Sequence, residues 1–162
     1  MPMIREVHRE DIPACVNLIK QSFKTVADEL GFTEENAPRF TAFAINEERL
    51  LWQFDNENRP MYVYEDAGVL CGYYSLFMQE NNECELNNLA VLPEFRHKGI
   101  GKELLEHSYS TARDNGCKLM NIGIVEENKK LRKWYEENGA AHLGTHKFDF
   151  FPFTCGYMRK ML

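Results

Sequence analysis

The 162-residue chain reads as one α/β (α+β) domain, a mixed central sheet of about seven strands with helices on both faces. Three observations predict this. Strand and helix signals follow in the order β, α, α, β, β, β, α, β, α, β, β. The hairpin signal at Asp66-Ala67-Gly68 requires antiparallel neighbours. The strand–helix–strand run from Glu85 to Val125 instead requires parallel ones.

Met3–Val7 alternates loosely and reads as the first strand. Asp11 is placed to cap a helix with Pro13 in its first turn, and Ile12, Val16, Ile19, Phe23 and Val26 continue at helical spacing up to Gly31. A loop to Pro38 leads into a second helical pattern, roughly Arg39–Gln53. Met61–Glu65 and Val69–Met78 form the hairpin, and Glu85–Leu92 is the next strand. A helix over Gly99–Asn115 ends at Gly116, and Lys118–Val125 returns as a strand. Helix Lys129–Asn138 stops at Gly139, and strands His142–Lys147 and Tyr157–Met161 flank an aromatic loop, Phe148–Phe153. No repeat, low-complexity run or linker divides residues 1–162.

Composition narrows the function classes. At 44% apolar residues the chain supports a single good core. A formal charge of −6, with no basic cluster beyond Arg96–Lys102, argues against a nucleic-acid partner. The opening MPMIREVHRED carries no apolar leader, and no run approaches membrane-spanning length, so the expectation is a cytoplasmic protein with no membrane partner. Five scattered cysteines, Cys15, Cys71, Cys84, Cys117 and Cys155, lack CxxC spacing. They read as free thiols, and no metal is implied.

The chemistry gathers in ECELNNLAVLPEFRHKGIGKELL, where an apolar strand ends at Pro93 and Arg96-His97-Lys98-Gly99-Ile100-Gly101 opens a helix. The first backbone N–H groups of a helix have no intrahelical partner and sit at the positive end of its dipole. Glycines at 99 and 101 let a ligand approach that backbone, which makes an anion site suited to phosphate. A P-loop is excluded because Glu103 follows Gly101-Lys102. A dinucleotide fingerprint is excluded because its third glycine position holds Leu104. The remaining pattern, Arg/Gln-x-x-Gly-x-Gly after a strand, resembles the pyrophosphate loop of the GCN5-related N-acetyltransferase (GNAT) superfamily.

That resemblance implies acetyl-CoA as co-substrate and transfer of its acetyl group to an amine by direct attack in a ternary complex, with no acetyl-enzyme. The backbone of Arg96, His97, Lys98, Gly99, Ile100 and Gly101 would take the pyrophosphate, with the charges of Arg96 and Lys102 beside it. Leu89, Ala90 and Val91 would pair with the pantetheine arm as another strand would. The family's tyrosine seven residues after an asparagine maps onto Asn128 and Tyr135, making Tyr135 the acid for the departing thiolate. By local structure alone, Asn128 is an N-cap and Tyr135 a core side chain.

Some members place a glutamate base where Glu85 stands, eleven residues before Arg96, with Asn87 on the same strand face and Glu83 as a nearby competitor. His8, His97, His107, His142 and His146 are surface or packing residues by default. The family builds its acceptor pocket from the loop after the first helix and the last hairpin loop, which implies Phe32, Phe40, Phe150 and Phe151 as substrate contacts. Core filling or a dimer contact are the competing uses of these aromatics. The acceptor stays open between a small-molecule amine and a peptide or protein amine, and homodimers are common in the family. A non-catalytic acyl-CoA sensor of the same fold is the second reading.

Overall fold

The computed structural model describes all residues, Met1–Leu162. Its strands are β1 (Met3–Glu6), β2 (Met61–Asp66), β3 (Val69–Met78), β4 (Glu83–Val91), β5 (Leu119–Val125), β6 (Ala141–His146) and β7 (Cys155–Met161). Its helices are α1 (Ile12–Leu30), α2 (Thr41–Ala44), α3 (Glu47–Asn56), α4 (Ile100–Asp114) and α5 (Lys129–Glu137). They build one seven-stranded sheet in the order β1-β2-β3-β4-β5-β7-β6. The β4–β5 pair is parallel and every other pair antiparallel. The mixed sheet follows from the connections: a two-residue turn joins β2 to β3 and loops join β3 to β4 and β6 to β7, all antiparallel pairs, whereas α4 carries the chain across the sheet to a parallel neighbour.

Helices α1 and α4 both pack on β3 and β4. On the α4 face, Tyr74 Oη lies 2.7 Å from His107 Nδ1 and 3.0 Å from Thr111 Oγ1. Gly72 shares that face, where an added Cβ would stand 2.6 Å from Leu104 Cδ1, so the strand needs glycine for the helix to seat. Strand alternation turns Tyr73, Ser75 and Phe77 to the opposite, α1 face. A core of thirty buried residues fills both layers. No helix is long and apolar enough to cross a membrane.

Two details differ from the sequence expectation. The helix expected over Arg39–Gln53 is two helices, because Asn46 in extended conformation caps a new start, its Oδ1 accepting from Arg49 N at 2.8 Å. Asp11 stands at the N-cap position of α1, but its side chain makes no capping bond to that helix. Its carboxylate accepts from His8 N at 2.7 Å and from Arg5 Nη1 at 2.8 Å, closing a single 3₁₀ turn ahead of the helix.

Candidate active site

The sheet is closed at one end of β4–β5 and open at the other. Glu83–Leu86 pair with Leu119–Ile122, and there the ladder stops. Beyond it, Gly123–Val125 keep only β7 as a partner, and Asn87–Val91 keep only β3. A bulge in β4 contributes to the divergence: Tyr73 pairs with Ala90 and Ser75 with Asn87, so Asn88 and Leu89 together oppose Tyr74. Asn88 sits at φ 54°, a left-handed conformation that asparagine tolerates better than most residues. The strand edge at Leu89, Ala90 and Val91 therefore faces a gap instead of β5, with the pairing groups an extended ligand could use.

At the end of this gap stands the N-terminus of α4. Gly99 caps it at φ 83°, and His97 at φ 63° makes the preceding turn. Glu103 N is the first helical donor, bonding to Gly99 O at 3.0 Å, so the amides of Ile100, Gly101 and Lys102 precede the helical ladder. The Ile100 side chain is buried in the core and holds the helix down, while His97, Lys98 and Lys102 are exposed around its start. Lys98 Nζ lies 5.4 Å from the Phe95 ring centroid. Gly101 sits in a narrow place: a Cβ there would be 3.6 Å from Trp134 Cζ2 and 3.8 Å from Val91 Cγ2. Trp134 was not singled out from sequence, because its place beside Gly101 depends on how α5 packs against α4.

Arg96 behaves differently from the loop backbone around it. Its guanidinium turns to α1, donating to Ser22 O at 3.0 Å, Ser22 Oγ at 3.1 Å and Thr25 Oγ1 at 2.9 Å, while Nε reaches Val91 O at 3.3 Å. The side chain thus ties the loop to the first helix. The exposed cations beside the loop amides are those of Lys98 and Lys102.

Asn128 caps α5, its Oδ1 accepting from Leu131 N at 3.3 Å. Tyr135, two turns on, is 5% exposed and packs its ring edge-on to Trp134 at 5.1 Å. Burial pushes its phenol well above the ordinary tyrosine range, with the nearby Tyr109 adding to the effect. A phenol so placed stays protonated and can donate.

On the α1 face of β4, Glu85 is half-buried between Phe77 of β3 and Asn121 of β5. Asn87 Nδ2 donates to Glu85 Oε1 at 2.7 Å. Glu83 accepts from Asn121 Nδ2 at 3.0 Å. The carboxylate of Glu85 is at the last paired rungs of β4–β5, where the gap begins.

A second, six-residue core joins Ala27, Phe32, Ala37, Phe40, Ala42 and Phe153, with Val125, Phe151 and Cys155 packed on it. The loop after α1 and the β6–β7 loop are thereby brought together at the open end of β5. Phe32 and Phe40 are 7% and 5% exposed, so they form the body of this wall and leave little surface of their own. Phe150 is exposed, with the Arg39 guanidinium 4.3 Å above its ring, and Phe151 is half-buried between Phe150 and Phe153. Nowhere in the chain do three or more His, Cys, Asp or Glu side chains gather as a metal site.

A splayed parallel strand pair thus lies beside a glycine-turned helix N-terminus, an unpaired strand edge leading to amides without helical partners. The model of the Acetyltransferase (GNAT) family matches residues 23–140, and the chain belongs to that family of acetyltransferases. Among curated relatives, an uncharacterised N-acetyltransferase of Lactobacillus delbrueckii subsp. lactis is 25% identical over 156 residues, covering 90% of this chain and 87% of the relative. The thialysine N-epsilon-acetyltransferase of Sus scrofa is 25% identical over 160 residues, 91% of each chain. Among solved structures, the PaiA N-acetyltransferase of Thermoplasma acidophilum in complex with coenzyme A superposes with a TM-score of 0.85 at 22% identity, covering 100% of this chain and 99% of that one.

Proposed function

We propose that this protein moves an acetyl group from acetyl-CoA to an amine by direct attack in a ternary complex. One observation carries the reading: β4 loses its β5 partner after Leu86 and runs on, unpaired on that side, to the free amides at the start of α4. That arrangement suits a ligand with an extended amide-bearing arm and a pyrophosphate. The amides of Ile100, Gly101 and Lys102 would bind the pyrophosphate, with Lys98 and Lys102 adding charge. The exposed β4 edge at Leu89–Val91 would bind the arm and offer an amide to the thioester oxygen as negative charge develops there.

Glu85 would take the proton of the acceptor ammonium, directly or through a water, freeing the nitrogen lone pair to attack the thioester carbon. Collapse of the tetrahedral adduct breaks the carbon–sulfur bond, the Tyr135 hydroxyl gives its proton to the sulfur, and the adduct nitrogen gives up its extra proton through water to restore the phenol, leaving the amide and free thiol. The half-buried carboxylates of Glu83 and Glu85 favour a cationic amine as the acceptor.

Calorimetry with acetyl-CoA, followed by thiol release with polyamines, lysine analogues and peptide N-termini, tests the reading. Tight binding with release for at least one amine supports it. Binding with no release for any amine points to an acyl-CoA sensor, and no binding removes the reading of the cleft.

A further inference from the structure

Behind Glu85 lies a chain of polar contacts that the acetyl-transfer reading does not require. Arg59 stands just before β2, its guanidinium only 6% exposed and paired with the Glu57 carboxylate. Asn58 between them adopts φ 48°, which folds Glu57 back onto Arg59. Pro60 limits the Arg59 backbone to extended conformations, and Pro60 O accepts from Leu76 N at 3.0 Å, so the segment is anchored to β3. The guanidinium lies 5.0 Å from the Phe77 ring centroid and donates from Nη1 to Asn87 Oδ1 at 2.7 Å and to Ser75 Oγ at 3.4 Å.

A guanidinium can only donate, so the amide oxygen of Asn87 must face Arg59. The amide NH2 is then committed to the other side, where it meets Glu85 Oε1 at 2.7 Å. An N–H donor favours the charged carboxylate and fixes its plane, leaving Oε2 to receive a proton.

We propose that Arg59 and Asn87 are positioning residues that set the orientation of the Glu85 carboxylate. The proposal rests on the reading of Glu85 as the base. Of the other charged groups on this sheet face, Glu83 is held by Asn121, Arg159 reaches Asn121 Oδ1 from Nε at 3.4 Å, and Arg5 at the far edge pairs with Asp11 and Glu65. None is hydrogen-bonded to Glu85.

The test is the titration of the Glu85 carboxyl carbon by NMR in the full chain labelled at glutamate, with the signal assigned by Glu85→Gln. Asn87→Asp, which keeps the shape and places a second carboxylate against Glu85, is expected to move the midpoint to higher pH by about one unit or more. Arg59→Met frees the amide to turn and is expected to move the midpoint in the same direction by a smaller amount. In turnover, Arg59→Met and Asn87→Ala should lower kcat by about 10–100-fold while the KM for acetyl-CoA stays within about twofold.

A midpoint unmoved in Asn87→Asp overturns the proposal, even if Arg59→Met fails to fold. Shifted midpoints in a protein that acetylates no amine uphold the network and overturn the acetyl-transfer reading instead.

Discussion

Arg96 and Ser22, 74 positions apart in sequence, are joined twice: one guanidinium nitrogen donates to both the backbone oxygen and the hydroxyl of Ser22, at 3.0 and 3.1 Å. The contact clamps the loop ahead of α4 to α1. Burial lowers the guanidinium's affinity for its proton, yet the group keeps four acceptors. Arg96→Met should cost about 1–3 kcal/mol of stability, since it leaves Ser22 and Thr25 oxygens without a donor. Urea denaturation would show this as a lower midpoint at unchanged slope. A variant as stable as the parent would assign the side chain no structural role.

Gly101→Ala separates folding from binding. The new methyl makes only ordinary contacts at 3.6 Å and beyond, and alanine is favoured over glycine in a helix by about 1 kcal/mol. Thermal stability should therefore hold or rise. The same methyl occupies the space between Val91 and Trp134, and affinity for acetyl-CoA should fall by about tenfold or more. Unchanged affinity would mean that the ligand does not pass through this gap.

Tyr135→Phe removes a hydroxyl and little else. The maximal rate should drop by about 10²-fold or more, with acetyl-CoA affinity nearly intact, as expected for loss of a general acid. Stopped-flow rates beside calorimetric affinities would check it. An unchanged rate takes Tyr135 out of the mechanism.

Alkaline pH should unfold the chain through its tyrosines. Burial raises the phenols of Tyr73, Tyr74 and Tyr135, and that of Tyr109 to about 12. The unfolded chain loses these protons at about pH 10, so it binds fewer protons than the folded state above that pH. Stability is thus complete below about pH 10 and falls as pH rises toward the folded values. Ultraviolet titration should find these four phenols ionising together with loss of structure, not before it.

Gly156 lies beneath a carboxylate. A Cβ there would stand 2.1 Å from Glu126 Oε2 and 2.8 Å from Ile124 Cγ1. Glu126 accepts from Arg132 Nη1 at 2.8 Å and contacts His142 Nε2 at 2.9 Å; burial opposes its charge, but these partners hold its pKa below the ordinary range. Gly156→Ala should displace the carboxylate and cost about 1–3 kcal/mol. Thermal melts at neutral pH would register the loss.

Much of the site was legible in order along the chain. The strand, the paired glycines and the apolar face of α4 are local patterns, set by period and by the need for φ values that glycine supplies, and they located the turn at Gly99 and the start of α4. The N-cap place of Asn128 and the buried place of Tyr135 were legible from the helical pattern of α5. The break at Asn46 was less legible, since an asparagine inside an apolar pattern reads as helix until its side chain is seen to accept from Arg49 N.

The sequence by itself thus determined the mixed sheet, the glycine turn ahead of α4 and the family, because each is written in local patterns along the chain. Tertiary structure decided what distant residues do to one another. Strand pairing ends after Leu86 and Ile122, and that divergence opens the cleft. Arg96 faces Ser22, Trp134 reaches Gly101, and Arg59 orients Asn87 against Glu85. No periodicity encodes such meetings, since they depend on where the sheet and helices place side chains once the whole core has closed.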